Sequence, residues 1–244
     1  MSELLAVKNL CKDGILKDIS FIINQGEMVA VMGPSGSGKS TLLYQVSGMD
    51  SSDSGEVWLD GTEICSLSED NRARLRLSQM GFVFQQMNML KNLALIDNIM
   101  LPACRLKKGK SFRKEMEHRA RMLMRKMGIE ELAGRKITEV SGGQLQRACI
   151  CRSMMNHPKI LFADEPTGAL NQSAAQGVME EFNRLNKENT TIFMVTHDSK
   201  VAARCGRILY LLDGSIKGEL SLKEIPEEKD REERVKRWLA EMGW

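Results

Sequence analysis

Residues 33–41 read Gly-Pro-Ser-Gly-Ser-Gly-Lys-Ser-Thr and follow the apolar run Met28–Met32. The spacing is G-x-x-x-x-G-K-[ST], and in this context it requires a strand to deliver the loop and a helix to leave it. The glycines let the backbone curl so that successive N–H groups point inward. The start of the following helix adds partial positive charge. Such an electropositive cup fits the oxyanions of a nucleotide's phosphate chain. Gly33, Ser35, Gly36, Ser37, Gly38, Lys39, Ser40 and Thr41 are therefore expected to line it. Lys39 would reach the β- and γ-phosphates, and the Ser40 hydroxyl would join a Mg2+ shell. ATP and Mg2+ are the expected ligands. A glycine-rich loop alone is a weak sign; the lysine, the serine and the strand–helix context make it specific.

A second element supplies what the phosphate loop lacks. Ile160-Leu-Phe-Ala-Asp-Glu165 is an apolar run ending in two carboxylates. A buried parallel strand would carry both toward the Mg2+–phosphate region. Asp164 is the candidate Mg2+ ligand, and Glu165 the group that orients or deprotonates the attacking water. A third element, Ser141-Gly-Gly-Gln144, stands before a helical stretch. By itself it is a capped helix start with free N–H groups, which is also an anion site.

Taken with the phosphate loop and the acidic strand end, Ser141, Gly142, Gly143 and Gln144 resemble the signature of ABC ATPases. The resemblance runs from about residue 4 to 220. It implies two subunits packed head to tail, with each signature loop closing on the γ-phosphate held by the other. It further implies that Gln85 contacts Mg2+ or water and senses a membrane partner, and that His197, in Val-Thr-His-Asp, hydrogen-bonds the γ-phosphate and steadies Glu165. The resemblance thus makes Glu165, His197, Lys39 and Gln85 the catalytic set, and Ser40, Gln85 and Asp164 the metal set. Two positions depart from the family. Asn171 stands where the family usually has Asp, which keeps the size and loses the charge. Cys11 aligns with a position where many relatives stack the adenine on an aromatic ring. Weak discrimination between ATP and GTP is the expected consequence.

The rest of the chain alternates short β-rich runs (Leu4–Asn9, Leu16–Ile23, Glu27–Met32, Val57–Asp60, Gly81–Gln85, Ile160–Ala163, Thr191–Val195) with helical stretches (Lys39 to about Gly48, Leu145–Met155, Ala174–Asn186). That pattern implies an α/β fold with a mostly parallel sheet. The family likeness refines it to a P-loop NTPase core with an antiparallel β subdomain and a helical subdomain inserted at about 86–140. In the insert, Phe112, Met116, Leu123 and Met127 suit one buried helix face. Its basic segment Arg105–Lys114 fits either a solvated face or a membrane-facing one. From about residue 227 the chain reads as a charged amphipathic helix with Val235, Trp238, Leu239 and Met242 on one side. That side would pack on its own domain or on a partner.

Bulk properties exclude several classes. The net charge of +3 is too small to argue for nucleic acid. No run approaches the roughly 18 apolar residues of a membrane span. The N-terminus carries Glu3 and Lys8 where a signal peptide needs an unbroken apolar core, so a cytoplasmic location is expected. The six cysteines include no C-x-x-C pair and read as small apolar residues in a reducing compartment.

Four phrases narrow the family: Gly26-Glu-Met-Val-Ala30, Gly81-Phe-Val-Phe-Gln85, Asp97-Asn-Ile-Met-Leu-Pro102 and Ala163-Asp-Glu-Pro-Thr-Gly168. They are similar to the branch serving macrolide export, lipoprotein release, cell-division control and antimicrobial-peptide resistance. That likeness implies a bacterial ATPase homodimer on the inner face of the cell membrane, held there by a separate FtsX-like permease that docks near Met87–Met100. Export or sensing of a peptide antibiotic is the favoured role. A mechanotransmission ATPase that moves no solute is the alternative. A DNA-repair ATPase would be expected to carry long coiled coils or tandem domains, and a kinase would leave the Ser141 loop unexplained.

Overall fold

The structure is a computed structural model that describes residues 2–106 and 109–244. Lys107 and Lys108 of the basic segment lie outside the described residues. In chain order, β1 (Glu3–Lys12), β2 (Leu16–Asn24) and β3 (Met28–Met32) lead into α1 (Lys39–Val46). β4 (Ser54–Leu59), β5 (Thr62–Glu63), α2 (Glu69–Gln79) and β6 (Met80–Phe84) follow. Then come α3 (Leu95–Leu106), α4 (Lys110–Lys126) and α5 (Gly142–Ser153). The chain continues through β7 (Ile160–Asp164), α6 (Gln172–Lys187), β8 (Thr191–Val195) and α7 (Ser199–Ala203). It closes with β9 (Arg207–Leu212), β10 (Ser215–Ser221) and α8 (Glu228–Glu241). Among the described residues no helix is long and apolar enough to cross a membrane.

These elements form two compact units, one from residues 1–73 and 185–244, the other from 74–184. In the first unit, β3 pairs in parallel with β8 on one side and β9 on the other, and β10 returns antiparallel beside β9. Every residue of β3 and β8 is buried, the mark of parallel strands covered on both faces. A separate antiparallel sheet is built from β2, β1, β4 and β5. Its last hairpin turns at Asp60 and Gly61, whose φ values of 46° and 76° match the twist of the flanking strands.

At the base of β3, Glu27 is 6% exposed. Its carboxylate accepts from Lys223 Nζ at 2.6 Å, from Asn24 N–H at 3.1 Å and from Arg207 Nη1 at 3.3 Å. One side chain thereby ties β3 to β9 and to Lys223, two residues beyond β10. The apolar face of α8 is buried in this same unit, with Val235, Trp238 and Leu239 all under 9% exposed. Tyr210 of β9 meets Trp238 edge-on at 6.1 Å and Trp244 at 6.0 Å. The amphipathic face of the C-terminal helix is therefore packed on its own domain.

In the second unit, β6 and β7 pair in parallel from Met80↔Ile160 to Phe84↔Asp164. Helix α5 packs on β6, α3 and α4. Gly81 permits that approach: a Cβ there would lie 2.3 Å from Leu161 Cδ2 and 2.6 Å from Ser153 O. Arg119 of α4 donates to Met155 O at 2.7 Å and Met154 O at 2.6 Å, placing a cation on the carbonyl end of α5. Met116, Leu123 and Met127 of the expected α4 face are buried.

Helix α2 and the β9–β10 hairpin depart from the sequence expectation. Helix α2 has only Leu75 buried, so its sequence lacks the apolar stripe that announces a helix. The β9–β10 hairpin ends in an edge strand whose residues are mostly part-exposed, and this weakens its alternating pattern.

Candidate active site

The phosphate loop is built in the first unit. β3 ends at Met32, and α1 begins at Lys39 behind Gly38, which has φ 99°. A residue with a Cβ resists that left-handed turn, and the Cβ would also lie 3.0 Å from Leu16 Cδ2. Gly33 is more constrained: its Cβ would lie 2.0 Å from Leu211 O and 2.7 Å from Ser37 Oγ. Lys39 is 8% exposed, and its ammonium donates to Gly33 O and Pro34 O at 2.8 Å each. It thus sits inside the loop. Pro34, Ser35, Gly36 and Ser40 are exposed and Thr41 is half-buried. Ser37 is buried, and its N–H donates to Pro34 O at 3.2 Å. No acidic residue occupies the first turn of α1, and no side chain caps it among the described residues. A start of this kind suits an anion.

His197 belongs to the same unit. Val195 at the end of β8 is paired with Val31 of β3, and Thr196 N–H donates to Val31 O at 3.1 Å. The exposed His197 therefore leaves the sheet at the same carboxyl-terminal edge as the phosphate loop. In open α/β sheets that edge is where ligands bind. Asp198 then caps α7 by accepting from Lys200 N–H at 2.8 Å.

The carboxylates belong to the second unit. Since Phe84 pairs with Asp164, the next residues, Gln85 and Glu165, emerge side by side. Their ends converge over Gly168, where a Cβ would lie 2.8 Å from Gln85 Nε2 and 3.3 Å from Glu165 Oε2. Asp164 and Glu165 are half-buried, and Gln85 is exposed. Glu165 has φ 46°, a left-handed conformation costing a side-chain-bearing residue about 1–2 kcal/mol. Gly168 N–H donates to Glu165 O at 3.0 Å and closes the turn.

The Ser141 loop starts α5 with a reciprocal cap. Ser141 Oγ accepts from Gln144 N–H at 3.3 Å, and Gln144 Oε1 accepts from Ser141 N–H at 2.9 Å. Gly142 and Gly143 allow close packing, since their Cβ atoms would lie 3.2 Å from Leu170 Cδ2 and 3.1 Å from Ala174 Cβ. Asn171 Oδ1 accepts from Ala174 N–H at 2.9 Å, so the uncharged residue still caps α6. Cys11 Sγ accepts from Asp18 N–H at 3.3 Å within the antiparallel sheet. A further residue had no sign in the sequence motifs: Gln146 of α5 donates to Pro166 O at 2.7 Å.

Each unit carries donors of the kind that Mg2+ and a nucleotide use. Ser40 and Asp164 offer hard oxygens, the kind Mg2+ prefers. Among the described residues no cluster of three or more His, Cys, Asp or Glu forms an all-protein metal cage. Cys149, Cys151 and Cys205 are buried, and burial pushes the thiols up, to about 11 for Cys149 and about 12 for Cys205. They are packing residues, as expected.

A family model described as ABC transporter matches residues 16–168. The chain is 42% identical over 228 residues to the ABC transporter ATP-binding protein YxdL of Bacillus subtilis, covering 90% of this chain and 88% of that one. It is 43% identical over 213 residues to the macrolide export ATP-binding/permease protein MacB of Neisseria meningitidis, covering 87% of this chain. It spans 33% of that longer protein. A solved dimeric, post-hydrolysis structure of the cassette MJ0796 bound to ADP and Pi superposes with a TM-score of 0.79 at 35% identity. That match covers 90% of this chain and 99% of the other. These likenesses show that the chain belongs to the ABC transporter ATP-binding family, as an ATP-hydrolysing cassette.

Proposed function

We propose that this chain powers an FtsX-like permease from the inner face of the cell membrane, working as a homodimer that closes on two Mg-ATP. The observation that carries the reading is the convergence of Gln85 and Glu165 over Gly168 in a chain that also holds Lys39 within a phosphate loop. Lys39, the loop amides, Ser35, Ser37 and Thr41 bind the phosphates. Ser40, Asp164 and Gln85 would hold a Mg2+, which would supply positive charge to the β- and γ-phosphate oxygens. Glu165 accepts a proton from water as the water oxygen bonds to the γ-phosphorus. The bond to the bridging oxygen breaks, and ADP keeps that oxygen. His197 hydrogen-bonds the γ-phosphate. The Ser141–Gln144 loop of each subunit covers the nucleotide held by the other, excluding water and aligning the attack.

We assign the permease contact to Met87–Met100. Within that segment Asn98 is fully buried, accepting from Leu90 N–H at 2.7 Å and donating to Leu90 O at 3.0 Å. Arg152 donates to Asn88 O at 2.8 Å and Met87 O at 2.9 Å. These bonds hold the half-exposed Leu90 outward on a fixed loop. YxdL and MacB support the branch assignment. The cargo or signal we assign is a peptide antibiotic.

The test is reconstitution of the subunit with its FtsX-like permease in vesicles. The permease is expected to raise phosphate release above that of the subunit alone, with ATP-dependent movement of the peptide. Stimulation without movement would replace transport by mechanotransmission, and no stimulation would remove both. For the base, Cys11 offers no aromatic face, and stacking contributes about 1–3 kcal/mol where a ring is present. Titration of the monomer should therefore give similar affinities for ATP and GTP. Much tighter ATP binding would overturn that expectation.

A further inference from the structure

Gln146 lies one turn into α5, behind the Ser141 cap, and is 1% exposed. Its Nε2 donates to Pro166 O at 2.7 Å and lies 3.5 Å from Phe84 O. Its Oε1 is buried and, among the described residues, has no hydrogen-bond partner. Burying an amide half-satisfied is unfavourable. Packing alone would be served better by an apolar side chain of the same length. What needs the amide is the backbone it holds. Phe84 immediately precedes Gln85, and Pro166 immediately follows Glu165.

Glu165 occupies a left-handed conformation, φ 46°, that a side-chain-bearing residue leaves unless its neighbours over-determine it. Three restraints act on that turn. The Pro166 ring fixes the next φ, and Gly168 N–H closes on Glu165 O at 3.0 Å. The bond from Gln146 is the one of the three that comes from another element. It comes from the helix that Ser141 begins. That helix also touches the chain beyond the turn, through Gly142 against Leu170 and Gly143 against Ala174.

We propose that Gln146 is a positioning residue for Glu165: it fixes the turn that aims the carboxylate, and it makes that aim depend on the position of the Ser141 helix in the same subunit. The inference rests on the reading of Glu165 as the group that activates water. A shift of α5 when its N-terminal loop engages nucleotide then reaches Glu165 directly through one hydrogen bond.

Gln146→Met keeps length and bulk and removes the donor. Its kcat is expected to fall about 10- to 100-fold, the scale of a slightly misplaced reacting group, with KM for ATP unchanged. A packing role alone would do the reverse, lowering the melting temperature and leaving kcat intact. In a Glu165→Gln background, Gln146→Met should cost no further activity, because the group it positions is already gone. A folded Gln146→Met protein with wild-type kcat, or a second full loss in the double variant, would overturn the proposal. If Gln146→Met does not fold, Gln146→Asn carries the same test, since it keeps a buried amide and withdraws the donor by one methylene. Normal hydrolysis by Glu165→Gln alone would sink the Glu165 reading, whereas an inactive Glu165→Gln beside a normal Gln146→Met would sink this inference only.

Discussion

Glu165→Gln is expected to lower steady-state phosphate release by about 10²–10⁴-fold, the contribution of a positioned general base. Glutamine matches glutamate in shape. The turn at φ 46° and the Gly168 N–H bond can both persist. What is lost is the capacity to take a proton. Nucleotide binding uses Lys39 and the loop glycines, so affinity for ATP should hold. A subunit that binds ATP and cannot spend it should accumulate as a closed dimer, visible by size-exclusion chromatography with ATP and absent with ADP. Wild type run alongside should return to monomer as it hydrolyses. A variant that releases phosphate normally and stays monomeric would falsify both the role of Glu165 and the cross-subunit closure.

Glu27→Ala is expected to destabilise the fold by about 3–5 kcal/mol, the usual result of removing one member of a buried ion pair. The mechanism is the loss of the buried partner of Arg207, whose side chain is 13% exposed and is left to the 52%-exposed Glu219 at 3.5 Å. Lys223 is 47% exposed, so solvent screens its share. At roughly 2–4 °C per kcal/mol for a chain of this size, thermal unfolding should begin about 10 °C lower. The effect carries a pH signature. Burial alone would push the Glu27 carboxyl up. The Lys223 hydrogen bond, the Asn24 N–H, and the charges of Arg207 and Lys223 together outweigh it and hold the pKa below its ordinary value. A carboxyl lowered in the folded state contributes fully above its unfolded pKa, near 4.3, and its contribution disappears as pH falls through the lowered value. Urea unfolding of wild type and variant should therefore differ most at neutral pH and converge in acid. A constant difference at all pH values would assign the loss to packing instead of charge.

Much of the site was legible because its residues are contiguous or end apolar runs. The phosphate loop is one unbroken string, and the apolar stretch before Asp164 announces a buried strand. The Ser141 loop needed the other two motifs beside it, since a capped helix start is common. Other features left no trace in residue type. The left-handed turn at Glu165 occurs at a non-glycine residue, so nothing in the sequence marks it. The bonds of Gln146 go to backbone carbonyls, which every residue carries. Helix α2 hid because one buried leucine makes no periodicity. The fate of the amphipathic α8 face was open for a different reason. Its pattern shows that the face must be covered, and only the packing of Trp238 and Trp244 on Tyr210 shows by what.

The three tryptophans, at 58, 238 and 244, and the two tyrosines, at 44 and 210, all lie in the first compact unit. The second unit, with Gln85, Ser141 and Glu165, carries phenylalanine as its only aromatic residue type. Intrinsic emission is therefore a private signal of the unit that holds the phosphate loop, while the unit that holds the carboxylates is dark. A melt followed by tryptophan fluorescence and one followed by calorimetry sample different parts of this chain, and any gap between them measures how far the two units unfold apart. A single tryptophan introduced at Phe112, on the half-buried surface of α4, would give the dark unit a signal of its own.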